Sequence, residues 1–513
     1  MSAMSKFVHL HNHSEYSFLD GAIRIKDMVK RAADWKMPAL ALTDHGGMFG
    51  AIEFHNACMA AGVKPILGFE AYIASGSRFS RERSTDERSY YHLVLLARNL
   101  EGYHNLLKLS SIGYTEGFYY KPRIDKEVLA QFSEGIIATS ACIAGEIPRA
   151  LAAQNKDKAR GLIEEYLKIF GEGNFYLELQ NHGIPDELIA NKGMIELGAE
   201  MGVPLIATND AHYLNKDDAV SHEVLLCIQT RTTLSDPNHY RFTTDEVYFR
   251  SAEEMAELFA DVPEAISNTL EIAERCNVEP KSSPQLPVLE VPSAFTGQDD
   301  YLRHLAYEGL KKNYEHVTPG MEEKLDYELG VICSMGFAGY FLIVRDFVNA
   351  AKERGIAVGC RGSAAGSLAA FCVGITSVDP IRFDLIFERF LNPERISMPD
   401  ADIDFADKDR YKVIDYVIDK YGRDAVCQII NYGRMKAKMV VRDVARVMGL
   451  SVAESNKLSD MVNEKNLVKS IEANGELKQA IEGSPVYQQL FKHASALEGL
   501  ARQAGMHAGG VII

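Results

Sequence analysis

The chain has 513 residues, a formal charge of −16, 47% apolar and 25% charged residues. That is the balance of a globular protein of about three domains, and it excludes a disordered polyelectrolyte and a generic binder of polyanions. The eight cysteines form no C-x-x-C pairs, no apolar run is long enough to span a bilayer, and the N-terminus lacks a signal-peptide core, so a reducing cytoplasm without membrane attachment is expected.

Up to residue 250 one pattern repeats: a short apolar run ends in metal-capable residues, and a helix-like stretch follows. "FVHLHNH" leads to His11 and His13, "PALALTDHGG" to Asp44 and His45, and "KPILGFEAYI" carries Glu70. "YYHLVLLA" carries His92, "GIIATSACIAG" leads to Cys142, "FYLELQNHG" to His182, and "VPLIATNDAHYL" to Asp210 and His212. Alternating strands and helices imply βα units, and polar groups at the strands' C-terminal ends are where such barrels build sites. The rhythm predicts a barrel of about seven strands.

"SAEEMAELF" opens with an S-x-x-E capping box at Ser251, and helices follow to about Cys276. Prolines 280, 284, 287 and 292 mark an extended linker over 280–296. "EEKLDYELGVICSMGFAGYFLIVRDFVNAAKERG" reads as two helices closing at Gly355. "IAVG", "CRGSAAGS" and "LAAFCVG" read as strand, Gly-Ser turn and helix start, an arrangement that suits a phosphate and equally a tight structural turn. In "SMPDADIDFADKDR", Asp400, Asp402 and Asp404 alternate with Ala401, Ile403 and Phe405. A strand turns such a sequence into one acidic and one apolar face. A surface strand with a solvated acidic edge gives the same pattern, but a cleft holding magnesium fits the crowded carboxylates. From Lys408 to Arg446 ten Lys/Arg face five Asp/Glu, a net of +5. Arg434, Lys438, Arg442 and Arg446 are four apart, so a helix would line them into one basic ridge for a nucleic-acid backbone. The run "MHAGGVII" ends at Ile513 without a cap, so the polypeptide is expected to continue.

Two constellations carry chemistry. Imidazole, thiolate and carboxylate at successive strand ends select zinc-like metals, and several metals together would hydrolyse phosphate esters. Gly362 and Ser363 with Asp402 and Asp404 pair a triphosphate grip with a magnesium site, which is what nucleotidyl transfer needs. Arg389 and Arg395 would neutralise phosphate or serve as structural ion-pair residues.

"FVHLHNHSEYSFLDG", "ALTDHGG", "GYFLIVRDF", "GCRGSAAGS", "FERFLNPERISMPDADIDF", "YGRDAVCQIINYG" and "MHAGGVII" closely resemble segments of the C-family of bacterial replicative polymerases, the alpha subunits of DNA polymerase III. The likeness runs over the whole chain. It implies a multidomain α/β protein. A PHP-type distorted (βα)7 barrel with trailing helices would span 1–280. A polymerase-beta-like nucleotidyltransferase palm (α+β) would begin at 281–433, with a helical thumb inserted over 434–510 and a returning palm strand from 511. It implies palm aspartates at Asp402 and Asp404, with a third beyond residue 513. It further implies phosphate contacts from Arg361, Gly362 and Ser363, with Arg389 and Arg395 beside them, and a DNA-backbone track along Arg434, Lys438, Arg442 and Arg446. Its nine PHP ligand positions read His11, His13, Asp20, His45, Glu70, His92, Cys142, Asp210 and His212. Asp20 and Cys142 stand where free-standing PHP phosphatases have histidine. Two or three zinc, manganese or iron ions would make this barrel a 3′-to-5′ proofreading exonuclease. The alternative is a metal-stabilised scaffold docking a separate exonuclease. The implied partners are primer-template DNA, dNTPs, the sliding clamp and the clamp loader, at the cytoplasmic nucleoid. Fingers and further DNA-binding domains would follow, so this stretch alone is not expected to polymerise.

Overall fold

The computed structural model describes residues 6–81, 89–280, 287, 289–394 and 398–513. The chain forms two compact units: Met1–Lys281 with Tyr432–Ala504, and Ser282–Asn431 with Gly505–Ile513. Each is thus assembled from two stretches distant in sequence.

The first unit is built on a curled mixed sheet of eight strands: β1 (Ala39–Leu42), β2 (Lys64–Ala74), β3 (Tyr90–Ala97), β4 (Phe118–Tyr119), β5 (Lys121–Ile124), β6 (Ile136–Thr139), β7 (Phe175–Leu179) and β8 (Leu205–Ala207). The segment around Asn12 closes the curl. Its backbone pairs with Ala211 beyond β8, and Thr43 and Ala41 at the end of β1 donate to its carbonyls. Counting that segment, the ring runs through β1, β2, β3, β6, β7 and β8, which makes the expected seven staves. The pure βα rhythm needs one correction. β3 is antiparallel to both β2 and β6. Its N-terminal end therefore lies where the other strands have their C-terminal ends, which explains why His92 comes early in "YYHLVLLA".

Strand alternation divides the core. Ala39, Ala41, Ile66, Val94, Leu96, Ile137, Tyr176 and Ile206 form one buried cluster with Ile272 and Ala273 of the helix Pro263–Arg275. Their strand neighbours Leu40, Leu42, Leu67, Leu93, Leu95, Ala138 and Leu177 pack in a second cluster with helix residues such as Met28, Phe54, Leu106 and Ile163. Both faces are covered, so the strands read as near-continuous apolar runs. The capping box forms as expected, with Ser251 accepting from the Glu254 amide at 3.2 Å and Glu254 accepting from the Ser251 amide at 2.7 Å.

Residues 432–504 complete this unit with a third cluster. Val440, Val441 and Val444 of the helix Ala437–Val447 pack with Val224, Leu225 and Ile228 of the helix Ala219–Thr230. The stretch expected as the thumb thus shares a core with the barrel's own helices.

In the second unit the helices Gln298–Asn313, Pro319–Ser334 and Ala338–Glu353 surround a core of Leu302, Leu329, Phe341, Val348 and Leu368. Gly355, with φ 69°, ends the last of them as expected. The strands β9 (Val358–Arg361) and β10 (Asp402–Phe405) pair antiparallel, Arg361 opposite Asp402 and Gly359 opposite Asp404. Two further strands, β11 (Cys427–Arg434) and β12 (Ala501–Ile512), pair with each other; their residues 432–434 and 501–504 are counted in the first unit. Of the linker 280–296, residues 281–286 and 288 lie outside the described residues. Among the described residues no single helix is long and apolar enough to cross a membrane.

Candidate metal centre and carboxylate strand

All nine barrel residues singled out from the sequence meet in one place. Glu70 is the hub. Its Oε1 lies 2.9 Å from His92 Nδ1 and 3.3 Å from His11 Nε2, and its Oε2 lies 2.7 Å from His45 Nδ1 and 3.6 Å from His13 Nε2. Asp210 Oδ1 sits 3.0 Å from His13 Nε2 and 3.2 Å from His11 Nε2. Asp20 Oδ2 is 3.1 Å from His45 Nε2. Cys142 Sγ is 3.7 Å from His92 Nδ1 and 3.8 Å from Glu70 Oε1. The His212 ring lies 4.3 Å from that of His13, while its Nδ1 faces the Asp210 carbonyl at 2.7 Å. Strand periodicity explains part of this. Glu70 shares the interior face with Ile66, and His92 shares it with Val94 and Leu96. One end of the barrel interior is therefore apolar and the other ionisable.

The donor atoms converge on common points. Three overlapping trios, His13/His45/His212, His11/His13/Glu70 and His45/Glu70/His92, each bring their ligand atoms within 4.8 Å of one another. Yet Glu70 Oε2, Asp210 Oδ1, Asp20 Oδ1 and His45 Nδ1 are buried without a hydrogen bond. Glu70 Oε2 and His45 Nδ1 are close but not aligned to bond. Buried polar atoms seldom go unpaired, and unbonded ligand atoms crowded within 4.8 Å of one another fit a cation. Nitrogen, oxygen and one sulfur suit zinc, manganese or iron.

The electrostatics follow from this crowding. Burial works to protonate Glu70, Asp20 and Asp210, but the surrounding imidazoles hold all three well below the carboxylate range. Burial also opposes charge on His45, where Glu70 and Asp20 overcome it and lift the pKa to about 10. His13 goes the other way, down to about 3, through burial and then the neighbouring His45 and His212. Burial, then Glu70 and Asp210, raise the Cys142 thiol. Asp210 is held in the left-handed region at φ 45°, a strain of about 1–3 kcal/mol that the surrounding structure must impose.

Behind these residues lies a second layer, in which Asp44 is a sequence candidate and Glu178 is not. Glu178 accepts from the ring of His11 at 2.6 Å, from Thr208 Oγ1 at 2.5 Å and from Gln180 Nε2 at 2.9 Å, with a further short bond from Thr139. Asp44 accepts from the Ser14 amide at 2.6 Å, Ser14 Oγ at 2.8 Å and Ser17 Oγ at 2.7 Å. Ser17 Oγ in turn lies 3.0 Å from His13 Nδ1. Such partners fix imidazole tautomer and orientation. His182, which the sequence pattern also pointed to, is diverted. Its nitrogens face Glu187 at 2.8 Å and the Asn209 carbonyl at 3.1 Å.

In the second unit Asp402 and Asp404 share a face of β10, while Ile403 packs on the core and Phe405 lies against Phe347. Asp400 is exposed and precedes the strand. The Arg361 guanidinium spans the pair, 3.1 Å from Asp402 and 3.2 Å from Asp404. Gly362 follows at φ 78°, its Cα facing Asp402 so closely that a Cβ would sit 3.3 Å from Oδ2. Ser363 lies in the same 3-10 turn, Gly362–Gly366. The helix-start part of the phosphate expectation is corrected here. The helix Leu368–Cys372 has only five residues, and its Ala369 and Ala370 amides already bond Glu328 and Ser367. Arg389 is exposed on the short turn Phe387–Arg389, and Arg395 lies outside the described residues.

The basic ridge is also corrected. Arg434 belongs to β11, not to the helix, and is spent on Glu15 at 2.5 Å, the Gly499 carbonyl at 2.9 Å and Tyr16 Oη at 3.2 Å. Lys438, Arg442 and Arg446 do lie on the exposed face of the helix Ala437–Val447. Arg442 donates to Ser459 Oγ at 2.8 Å and Arg446 to the Thr232 carbonyl at 3.4 Å.

Residues 9–182 match the PHP domain family, and residues 300–513 match the family described as the bacterial DNA polymerase III alpha NTPase domain. The chain belongs to the bacterial DNA polymerase III alpha family. It is 48% identical to the DNA polymerase III subunit alpha of Borreliella burgdorferi, with all of this chain and 45% of that one covered. Against the subunits of Treponema pallidum and Thermus aquaticus the identities are 46% and 41%, again over all of this chain, with 44% and 48% of those chains covered. The chain thus spans about half the length of the curated alpha subunits it matches. A putative metal-dependent phosphoesterase from Bifidobacterium adolescentis aligns over 40% of this alpha-family chain and 88% of its own, at 13% identity and a TM-score of 0.27.

Proposed function

We propose that this chain is part of the catalytic subunit of a replicative DNA polymerase, working at the cytoplasmic nucleoid with primer-template DNA, dNTPs and the clamp and clamp-loading proteins of a replisome. The observation that carries this is the pair Asp402 and Asp404 on one strand face beside the Gly362-Ser363 turn, in a chain of the alpha family. Two magnesium ions at such a pair would activate the primer hydroxyl and offset the charge of the leaving pyrophosphate. The chain's own part is to hold the carboxylates on a rigid strand, to leave room at Gly362 for close backbone approach to phosphates, and to supply Arg361 as a guanidinium. Primer extension by the full-length protein tests this. Asp402→Ala and Asp404→Ala should each abolish extension and leave duplex binding within a fewfold.

For the barrel we infer a 3′-to-5′ exonuclease that removes mismatched primer ends. The convergence of His11, His13, Asp20, His45, Glu70, His92, Cys142, Asp210 and His212 supports it, with two or three zinc, manganese or iron ions as the chemistry-bearing groups. A 3′-mismatched primer-template incubated with manganese or zinc and no dNTPs should lose its terminal nucleotides. The double variant His11→Ala, His13→Ala should stop that loss, and Asp402→Ala, Asp404→Ala should not.

A second reading, a metal-stabilised scaffold docking a separate exonuclease, has an observation of its own. Glu15, between His13 and Asp20, accepts from Arg434 and from the Ala501 amide, so the loop also binds distant parts of its unit together. Proofreading that survives the histidine variant, given a docked partner, would favour the scaffold.

A further inference from the structure

We propose that the hairpin of β4 and β5 is a single-strand platform that receives the bases and backbone of a DNA 3′ end at the mouth of the barrel's metal-capable cluster. The proposal rests on the nuclease reading of that cluster and adds the surface by which the strand would reach it.

The hairpin abuts the cluster. Gly46, next to His45, has φ 67°, and a Cβ there would sit 2.7 Å from Pro122 Cγ and 3.1 Å from the Tyr72 ring. Tyr72 stacks on His45 with centroids 5.6 Å apart and planes 20° apart, and Lys121 Nζ lies 5.2 Å from the centre of the Tyr72 ring. From the ionisable cluster outward, an imidazole, a phenol and an ammonium follow in series.

Beyond Lys121 the surface is aromatic and open. Tyr120 is 72% exposed and Phe118 52%. Tyr120 is held at φ 61°, a conformation seldom adopted by a bulky residue. Its ring meets Tyr119 at 4.6 Å, and Phe118 stacks near Tyr114 at 6.1 Å and 25°. Exposed aromatics at a strained backbone position do nothing for the core.

Around them Arg78, Arg81, Lys121 and Arg123 outnumber the carboxylates of Glu116, Asp125 and Glu127 by one. Arg78 takes up the nearby carboxylates of Glu116, Asp125 and Glu127. Arg81 and Arg123 are held by backbone carbonyls and bear on Tyr119 from 6.0 and 5.2 Å; Arg123 is buried beneath the hairpin, so the accessible cations are Arg81 and Lys121. Neither they nor Lys121 has a carboxylate in ion-pair range among the described residues. Aromatic faces interleaved with unpaired cations are what single-stranded nucleic acid binds: bases stack whatever their sequence, and cations follow the phosphates.

The test is fluorescence anisotropy with a 5′-fluorescein oligothymidylate whose 3′ linkages are phosphorothioates, so that binding is read whether or not the chain hydrolyses DNA. Tyr120→Ala should weaken binding about tenfold, Tyr120→Phe should leave it unchanged, and Lys121→Ala should lower the salt slope by roughly 0.7. Photocrosslinking of a 3′-terminal 5-iododeoxyuridine should land on the 118–121 stretch. Absence of binding by the unaltered chain, or affinities of Tyr120→Ala and Lys121→Ala within twofold of it, overturns the platform. Binding that falls in the variants while an unmodified oligonucleotide is never cut keeps the platform and removes the nuclease.

Discussion

Arg434→Ala makes a quantitative test of how the first unit is held together. Glu15 is 5% exposed, and its carboxylate accepts from Arg434 at 2.5 Å and from the Ala501 amide at 3.2 Å. Removing the cation leaves a buried carboxylate with one amide donor. Breaking a fully buried pair this way costs about 3–5 kcal/mol. The Arg434 side chain is 40% exposed, so solvent already screens part of the attraction and about 2 kcal/mol is expected. Glu15→Gln should cost less, about 1 kcal/mol, because the amide oxygen still accepts from Ala501. The double variant should then fall short of the sum by at least 1 kcal/mol. The chain's single tryptophan is Trp35, whose ring lies near Phe249 in the same unit, so urea unfolding followed by its fluorescence reads this unit alone. A coupling below about 0.5 kcal/mol would refute the claim that the pair clasps residues 432–504 to the barrel.

Other outcomes follow from single contacts. Glu178→Gln should lower metal affinity 10–100-fold without touching the nine converging residues, measured by competition against a chromogenic chelator. Arg361→Ala should tighten manganese binding, since it removes a cation that lies 3.1 and 3.2 Å from two exposed carboxylates; electron paramagnetic resonance of bound manganese reads this, and unchanged affinity would refute it. Glu328 is fully buried, and burial raises its pKa above the ordinary 4.5 against the pull of the Ala369 and Leu368 amides and Ser367. The folded state therefore holds its proton more tightly than the unfolded chain, so stability from this group is greatest below pH 4.5 and falls as pH rises through the raised value. Amide exchange at Ala369 and Ala370 should speed up across that window, and Glu328→Gln should flatten the trend.

The sequence shows the barrel centre well because its members sit at strand ends, where period-2 alternation and apolar runs are local signals. Glu178 escaped for a reason visible afterwards. It stands inside "FYLEL", a strand buried at every position, and a charge in such a strand must find partners; the strand-end pattern points instead to His182, which bonds elsewhere. Arg434 departs from the expected ridge because spacing by four describes a helix only where a helix exists, and Arg434 lies in β11. Whether residues 427–434 form a strand depends on β12, some seventy residues later, and no local pattern carries that. The antiparallel course of β3 is equally nonlocal. The β9–β10 pair was easier, since alternating acid and apolar residues declare both faces of β10 at once.

The third cluster of the first unit bears on how the chain is made. Val224, Leu225 and Ile228 leave the ribosome long before Val440, Val441 and Val444, which complete their burial. At 5–20 residues per second, the intervening stretch takes roughly 10–40 s to synthesise. During that interval the barrel waits with an apolar flank facing water, a natural binding place for a chaperone. The last part of the first unit to be translated is therefore the one that ends its exposure to aggregation.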